Sequence, residues 1–288
     1  MGNCQICPRR CNTDRSKGVG FCKESDILRI SRAALHFWEE PVISGTKGSG
    51  TVFFCGCSLG CIFCQNREIS TAQNNGVAVT PARLREIFDE LISEGAHNIN
   101  LVTPTHYTHI LSGVLEKPLP VPVVWNSSAY ENPPTLQALQ DKVQIFLPDL
   151  KFCDDESAEK LAGAPDYFTV AKKAIDTMVK MQPQTKIIDG IMQKGVIVRH
   201  LVLPGHVQNA KRAIDLFAAR YKGAALFSLM FQYTPVNGLP PPLNRRVNRS
   251  EYNAVMDYLY QKNVEEGFVQ ELSSAKEEYI PPFDCTGI

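Results

Sequence analysis

From residue 51 onward, short apolar runs of period two alternate with longer stretches whose apolar residues recur every three or four positions. Thr51-Val52-Phe53-Phe54 is the first such run, and it follows a glycine-rich turn at residues 44–50. Thr80-Pro81 then supplies an N-cap and first-turn pair for a helix burying Leu84, Ile87, Phe88, Leu91 and Ile92, which Gly95 ends. Beyond it the pattern predicts a strand at 98–102, a helix at 105–114, a strand at 121–125 and a helix at 133–140. A strand at 143–147 follows, with helices at 154–161 and 167–181. Then come a strand at 195–203, a helix at 207–220, a strand at 225–231 and a last long helix at 250–261. Another strand-like segment, 27–34, precedes the series. Counted from Thr51, six strands each lead into a helix or a helix-bearing connection, and such alternation predicts a parallel α/β sheet. Periodicity alone does not distinguish an open sheet from one curved into a barrel.

Composition narrows the function classes. The 288 residues carry 30 Lys plus Arg against 30 Asp plus Glu, so the chain has no net field to attract nucleic acid or an anionic membrane. Its longest apolar run, 224–231, is far too short to span a bilayer, and residues 1–15 are polar, unlike a signal peptide. Of ten cysteines, eight fall in the first 64 residues, clustered rather than spread as a disulfide framework would be. Metal-bound thiols in a reducing cytoplasm are the expectation that fits. Cys4, Cys7, Cys11 and Cys22 form one group, in a loop-rich knuckle with little core of its own. Zinc, an auxiliary iron–sulfur cluster and unligated thiols are all open there. The expected organisation is a knuckle and lead-in over residues 1–50, followed by an α/β core over 51–288.

The second cysteine group carries the sharper signal. Cys57, Cys61 and Cys64 stand at Cys-x3-Cys-x2-Cys spacing in a loop directly after the first strand of the series. Three soft thiolates on one loop select an iron–sulfur cluster, zinc or copper(I). In parallel α/β folds working residues gather at the C-terminal ends of strands. Those ends read Thr103-Pro104-Thr105-His106, Asn126-Ser127-Ser128, Asp149-Leu150-Lys151, Arg199-His200 and Gln232-Tyr233, polar throughout. Asp149 and Lys151 alternate on a strand and could equally just pair with each other. Cys55 reads as a buried core thiol, and Asp154-Asp155-Glu156 as the acidic first turn of a helix.

The cysteine loop, with Phe63 before its last cysteine, resembles that of the radical S-adenosylmethionine (SAM) enzymes. Five further stretches strengthen the resemblance: Cys4 to Cys11, His36 to Pro41 (His-x-Trp-Glu-Glu-Pro), Gly48 to Phe54, Cys61 to Asn66 and Arg199 to Gly205. Together they are similar to a branch related to pyruvate formate-lyase activating enzymes that bears an N-terminal cysteine knuckle. The resemblance implies a partial (β/α)6 TIM-like barrel with a small cysteine-rich extension. It implies a 4Fe–4S cluster on Cys57, Cys61 and Cys64, SAM on the open iron, and Phe63 beside the adenine. It further places Thr103, Thr105, His106, Asn126, Ser127, Asp149, Arg199 and Gln232 around SAM, with Lys151 in the catalytic set. Activating enzymes have a Gly-Gly-Glu-Pro turn where this chain has Thr103-Pro104-Thr105-His106, and Asn126 stands where a second Asp would help hold a monovalent cation with Asp149. The implied partners are a one-electron donor such as flavodoxin or ferredoxin and a glycyl-radical enzyme. The alternative substrates are a small molecule, a peptide or another protein, and a non-enzymatic zinc or electron-carrier protein is a more remote reading.

Overall fold

A computed structural model describes residues 4–71, 76–274 and 281–288. In chain order its strands are β1 (Arg29–His36), β2 (Ser49–Phe54), β3 (Val77–Ala78), β4 (Ile99–Val102), β5 (Val123–Ser127), β6 (Ile145–Pro148), β7 (Lys186–Ile188), β8 (Ile191–Leu201), β9 (Leu226–Met230) and β10 (Gly267–Val269). The α-helices are α1 (Pro41–Ser44), α2 (Arg67–Ser70), α3 (Pro81–Ser93), α4 (Thr108–Val114), α5 (Pro133–Gln137), α6 (Asp155–Ala162), α7 (Tyr167–Met181), α8 (Val207–Arg220) and α9 (Arg249–Gln261). The strands join one sheet of order β10-β9-β8-β6-β5-β4-β2-β1-β3, with β7 hairpinned onto β8. From β2 to β10 every neighbouring pair along this path is parallel, whereas β1 runs antiparallel to β2 and β3 antiparallel to β1. The fold is therefore mixed α/β around a parallel sheet, and the sheet path is open, with β10 and β3 at its ends.

Local chemistry accounts for most boundaries. Thr80 caps α3 by accepting from the Arg83 N–H at 3.1 Å, and Gly95 takes the left-handed φ of 98° just beyond it. Asp154 caps α6 through the Ser157 N–H at 2.7 Å, so the acidic run opens that helix as expected. Asn248 and Glu251 form a reciprocal capping box on α9. The central strands are buried on both faces, and their Val, Ile, Leu and Phe residues form the core with the inner faces of α3, α7, α8 and α9. The stretch predicted as one helix at 105–114 is a 3-10 turn at Thr105–Tyr107 running into α4. The short elements α1, α2, β3, β7 and β10 have no period long enough to announce them. Among the described residues no helix is long and apolar enough to cross a membrane.

Candidate functional site

The cysteine loop leaves β2 at its C-terminal end and is fixed by backbone bonds to α6. Gly60 N–H donates to Ala162 O at 3.0 Å and Ile62 N–H to Leu161 O at 2.9 Å. Cys57, Cys61 and Cys64 all line one cavity. N–H···S and O–H···S bonds reach two of the sulfurs: Leu59 N–H to Cys57 Sγ and Ser70 Oγ to Cys64 Sγ, each at 3.4 Å. Such bonds tune a metal-bound thiolate. Burial pushes the Cys57 thiol up to about 12, with the nearby Cys64 adding to it. Burial raises Cys61 also, against the lowering effect of Lys151. Both are thus held as neutral thiols, whose protons a bound metal would have to displace.

The same cavity is lined from every central strand: Phe54 and the cysteine loop after β2, Val102 and Thr103 from β4, Asn126 and Ser127 from β5, Asp149 and Lys151 after β6, Arg199 from β8, and Met230 and Gln232 from β9. Gln65 Nε2 donates to Gln232 O at 3.5 Å, joining the β2 loop to the end of β9.

Opposite the cysteines lies a charged network centred on Arg199. Its Nε donates to Asp149 Oδ1 at 2.7 Å, Nη1 to Glu39 Oε2 at 2.9 Å and Nη2 to Asn126 Oδ1 at 2.5 Å. Lys151 Nζ donates to the other Asp149 oxygen at 2.8 Å. Burial works against the charge on Asp149, but Arg199 and Lys151 outweigh it and hold its carboxyl below the usual range. Both Asp149 oxygens are therefore taken by side-chain cations, and Asn126 presents its carbonyl to the same guanidinium. A monovalent cation expected between Asp149 and Asn126 thus finds a guanidinium in its place. Tyr167 fixes this corner: its hydroxyl lies 2.6 Å from Asp149 O and 2.9 Å from Ser128 O, and accepts from Lys151 N–H at 2.9 Å.

Glu39 was not singled out by sequence reasoning. It lines the cavity and accepts from Arg199, from Asn126 Nδ2 at 3.2 Å and from Asn100 Nδ2 at 3.0 Å. The Glu-Glu pair before Pro41 was visible in the sequence, but nothing local said that it would be buried against a cation. Its neighbour Glu40 is buried, and one of its oxygens finds no hydrogen-bond partner. Burial raises its carboxyl, with Arg199 lowering it and Glu39 adding to the rise.

Thr103 lines the cavity in a left-handed conformation, φ 59°, with its N–H donating to Asn126 O at 2.9 Å. The backbone shape that glycine would supply is present here without glycine. Thr105 and His106 do not reach the cavity, contrary to expectation. Thr105 Oγ1 donates to Glu131 at 2.7 Å, and His106 Nε2 bonds Cys55 O at 2.7 Å. The 3-10 turn carries both inward beneath the strand end, and burial pushes the His106 imidazole down to about 3. Phe63 forms part of the cavity wall while meeting Phe152 and Tyr233 edge-on, at centroid distances of 6.1 and 6.4 Å. Cys55 is fully buried.

Among the described residues no three His, Cys, Asp or Glu side chains converge on a point that a single metal ion could occupy. The knuckle thiols are nonetheless neighbours: a Cβ on Gly20 would lie 3.2 Å from Cys11 Sγ and 3.4 Å from Cys22 Sγ.

Comparison with known proteins shows the fold. The fold is shared with solved structures of the Streptococcus suis protein SuiB. It matches Streptococcus suis SuiB bound to precursor peptide SuiA with a TM-score of 0.52 at 14% identity, over 77% of this chain and 48% of that one. SuiB bound to S-adenosylmethionine matches with a TM-score of 0.50 at 16% identity, over 77% of this chain and 47% of that one. The chain thus spans about half the length of SuiB. No family model matches it. It is 30% identical over 276 residues to the uncharacterized protein MJ0674 of Methanocaldococcus jannaschii, covering 91% of this chain and 76% of that protein. The chain belongs to the family of MJ0674.

Proposed function

We propose that this protein is a radical SAM enzyme acting on a polypeptide. The observation that carries the reading is three thiols of one loop facing a single cavity lined from six parallel strand ends. In a flat sheet β2 and β9 would be too far apart to share a cavity, which supports a partial barrel. Cys57, Cys61 and Cys64 would hold the 4Fe–4S cluster. When bound, the reduced cluster supplies the electron that splits SAM into methionine and a 5′-deoxyadenosyl radical, which abstracts hydrogen from substrate.

The chain's own residues bind, orient and shield. Thr103 at its left-handed turn, with Asn126, Ser127 and Gln232, offers polar groups for SAM. Phe63 gives an apolar wall. Arg199 and Lys151 hold Asp149 ionised, and with Glu39 also paired to Arg199 these four groups balance in charge while lining the cavity with polar atoms. Trp38, 53% exposed, and Pro281 stand at the mouth and would meet the substrate.

For the substrate itself, the resemblance to activating enzymes favours a backbone glycine of a glycyl-radical enzyme. Likeness to SuiB, solved with a precursor peptide, favours modification of a peptide side chain instead. The four knuckle thiols are proposed as ligands of a second iron–sulfur centre.

The test is anaerobic reconstitution followed by dithionite and SAM. 5′-Deoxyadenosine forms with the natural chain and not with Cys61→Ala, while Cys4→Ala/Cys7→Ala loses iron yet keeps the loop cluster. A chain holding about four irons at the loop and yielding no 5′-deoxyadenosine refutes the enzyme reading. An organic radical on an added glycyl-radical enzyme, seen by electron paramagnetic resonance, selects the first substrate. A mass change in a peptide selects the second.

A further inference from the structure

The knuckle motif contains one residue for which the cysteines give no reason. Arg9, between Pro8 and Arg10, turns away from the thiols and reaches across to the cluster loop. Its Nε donates to Ser58 O at 2.7 Å, Nη1 to Gly163 O at 2.5 Å and Nη2 to Ala162 O at 3.4 Å. One planar fork thus joins the cysteine loop to the last carbonyls of α6, where a cation also complements the helix dipole. Ala162 O also accepts from Gly60 N–H of the loop, and the neighbouring Leu161 O accepts from Ile62 N–H. The guanidinium itself is held by the ring of Phe21, 3.8 Å from its centroid, and by Tyr130 at 5.3 Å.

Two further contacts tie the knuckle to the loop. Cys57 N–H donates to Cys22 O at 3.3 Å, so a cluster ligand hangs from a knuckle cysteine. Gly56, at φ 81°, has no room for a side chain, since a Cβ would stand 2.4 Å from that Cys22 oxygen. The knuckle is anchored in turn on the core: Asn132 Nδ2 donates to Gln5 O at 3.0 Å, and Thr135 Oγ1 to Ile6 O at 2.8 Å.

We propose that Arg9 is a positioning residue for the cluster loop, by which the knuckle fixes the geometry and electrostatics of the Cys57–Cys64 site. This rests on the radical SAM reading. It deepens it by giving the N-terminal segment a part in the chemistry rather than in folding alone. An iron–sulfur centre responds to nearby charge, to hydrogen bonding around its sulfurs and to solvent access. Arg9 bears on the first two, because it carries charge beside Ser58 and braces the backbone between Cys57 and Cys61.

The test compares the reconstituted natural protein with Arg9→Gln, Arg9→Lys and Arg9→Ala. Iron content, cluster reduction potential by spectroscopic titration, 5′-deoxyadenosine formation and thermal midpoint are followed together. Loss of an outer-shell partner typically costs ten- to a hundredfold in metal affinity or activity. Arg9→Gln and Arg9→Ala should therefore show SAM cleavage reduced about tenfold or more and a displaced potential. Arg9→Lys, which keeps charge but not the three-way fork, should recover part of the potential and little of the rate. If the variants lower only the thermal midpoint and leave potential and cleavage unchanged, Arg9 is merely structural and the proposal falls. Should Arg9→Ala fail to fold, Arg9→Lys decides by the same two readouts. A natural protein that binds its cluster and cleaves no SAM fails the underlying reading instead, and the two failures are distinguishable.

Discussion

Replacing Arg199 by Met removes the cation at the centre of the network while keeping an unbranched side chain in its place. Arg199 meets Asp149 at 2.7 Å and Glu39 at 2.9 Å, and both ion pairs have little solvent access. Without it, Asp149 keeps Lys151 but Glu39 keeps only the neutral amides of Asn126 and Asn100, beside the buried Glu40. Breaking a buried ion pair from one side costs about 3–5 kcal/mol, because the remaining charge is desolvated and unpaired. At this chain length roughly 2 °C accompanies each kcal/mol, so the thermal midpoint at pH 7.5 should fall by about 6–10 °C. The pH dependence has a defined sign. In the natural protein the Asp149 carboxyl is held low, so its stabilising contribution exists above its unfolded value of about 3.9 and is lost as pH falls through its folded value. In the variant the crowded carboxylates bind protons more readily when folded, which offsets part of the stability that both proteins lose as pH falls. The gap between the two proteins must therefore narrow from pH 7.5 to pH 5. Differential scanning fluorimetry of the metal-free proteins at both pH values measures it. A gap below about 2 °C at pH 7.5, or one that widens toward pH 5, would refute the reasoning.

Other consequences can be checked on the same protein. Gly56→Ala should cost about 2–4 kcal/mol in urea unfolding, from a left-handed φ and the clash with Cys22 O. Thr103→Gly, by contrast, relieves a strained φ and should hold stability within about 0.5 kcal/mol or raise it. A loss of more than about 2 kcal/mol for Thr103→Gly would show that the side chain, rather than the turn, is what matters. Burial pushes His106 to about 3 and His200 to about 4, so both stay neutral when folded. Their stabilising contribution is whole above the unfolded value of about 6.5 and is lost as pH falls from there toward 4. Near pH 5 the pair gives a slope of roughly 3 kcal/mol per pH unit, and His200→Asn should remove about half of it. An unaltered slope in that variant would count against a neutral buried His200.

Much of the site was legible because its residues obey local rules. Three thiols within eight residues must sit on one loop wherever the chain goes, so Cys57, Cys61 and Cys64 could be grouped from spacing. Thr103, Asn126, Asp149 and Arg199 were placed because strands of a parallel sheet all end on one face, and those ends do line the cavity. Thr105 and His106 were misplaced by the same rule. Strand-end position does not say which way the next turn folds, and here a 3-10 turn buries both side chains against Glu131 and Cys55 O. Asp149 and Lys151 were open between pairing and function, and they pair while still facing the cavity.

The alternation of strands and helices, the cap of α3, the acidic start of α6 and the grouping of the cysteines were readable along the chain, since each depends on residues a few positions apart. Only the tertiary structure decided that Glu39 reaches Arg199 across 160 positions and that Arg9 clasps Gly163 across 154. It alone showed that Arg199 stands between Asp149 and Asn126, and that Thr103 adopts a conformation ordinarily left to glycine. Such facts come from which strands neighbour one another and how deeply their ends are buried. A charge or a strained backbone angle is held in place there by partners whose distance along the chain carries no signal.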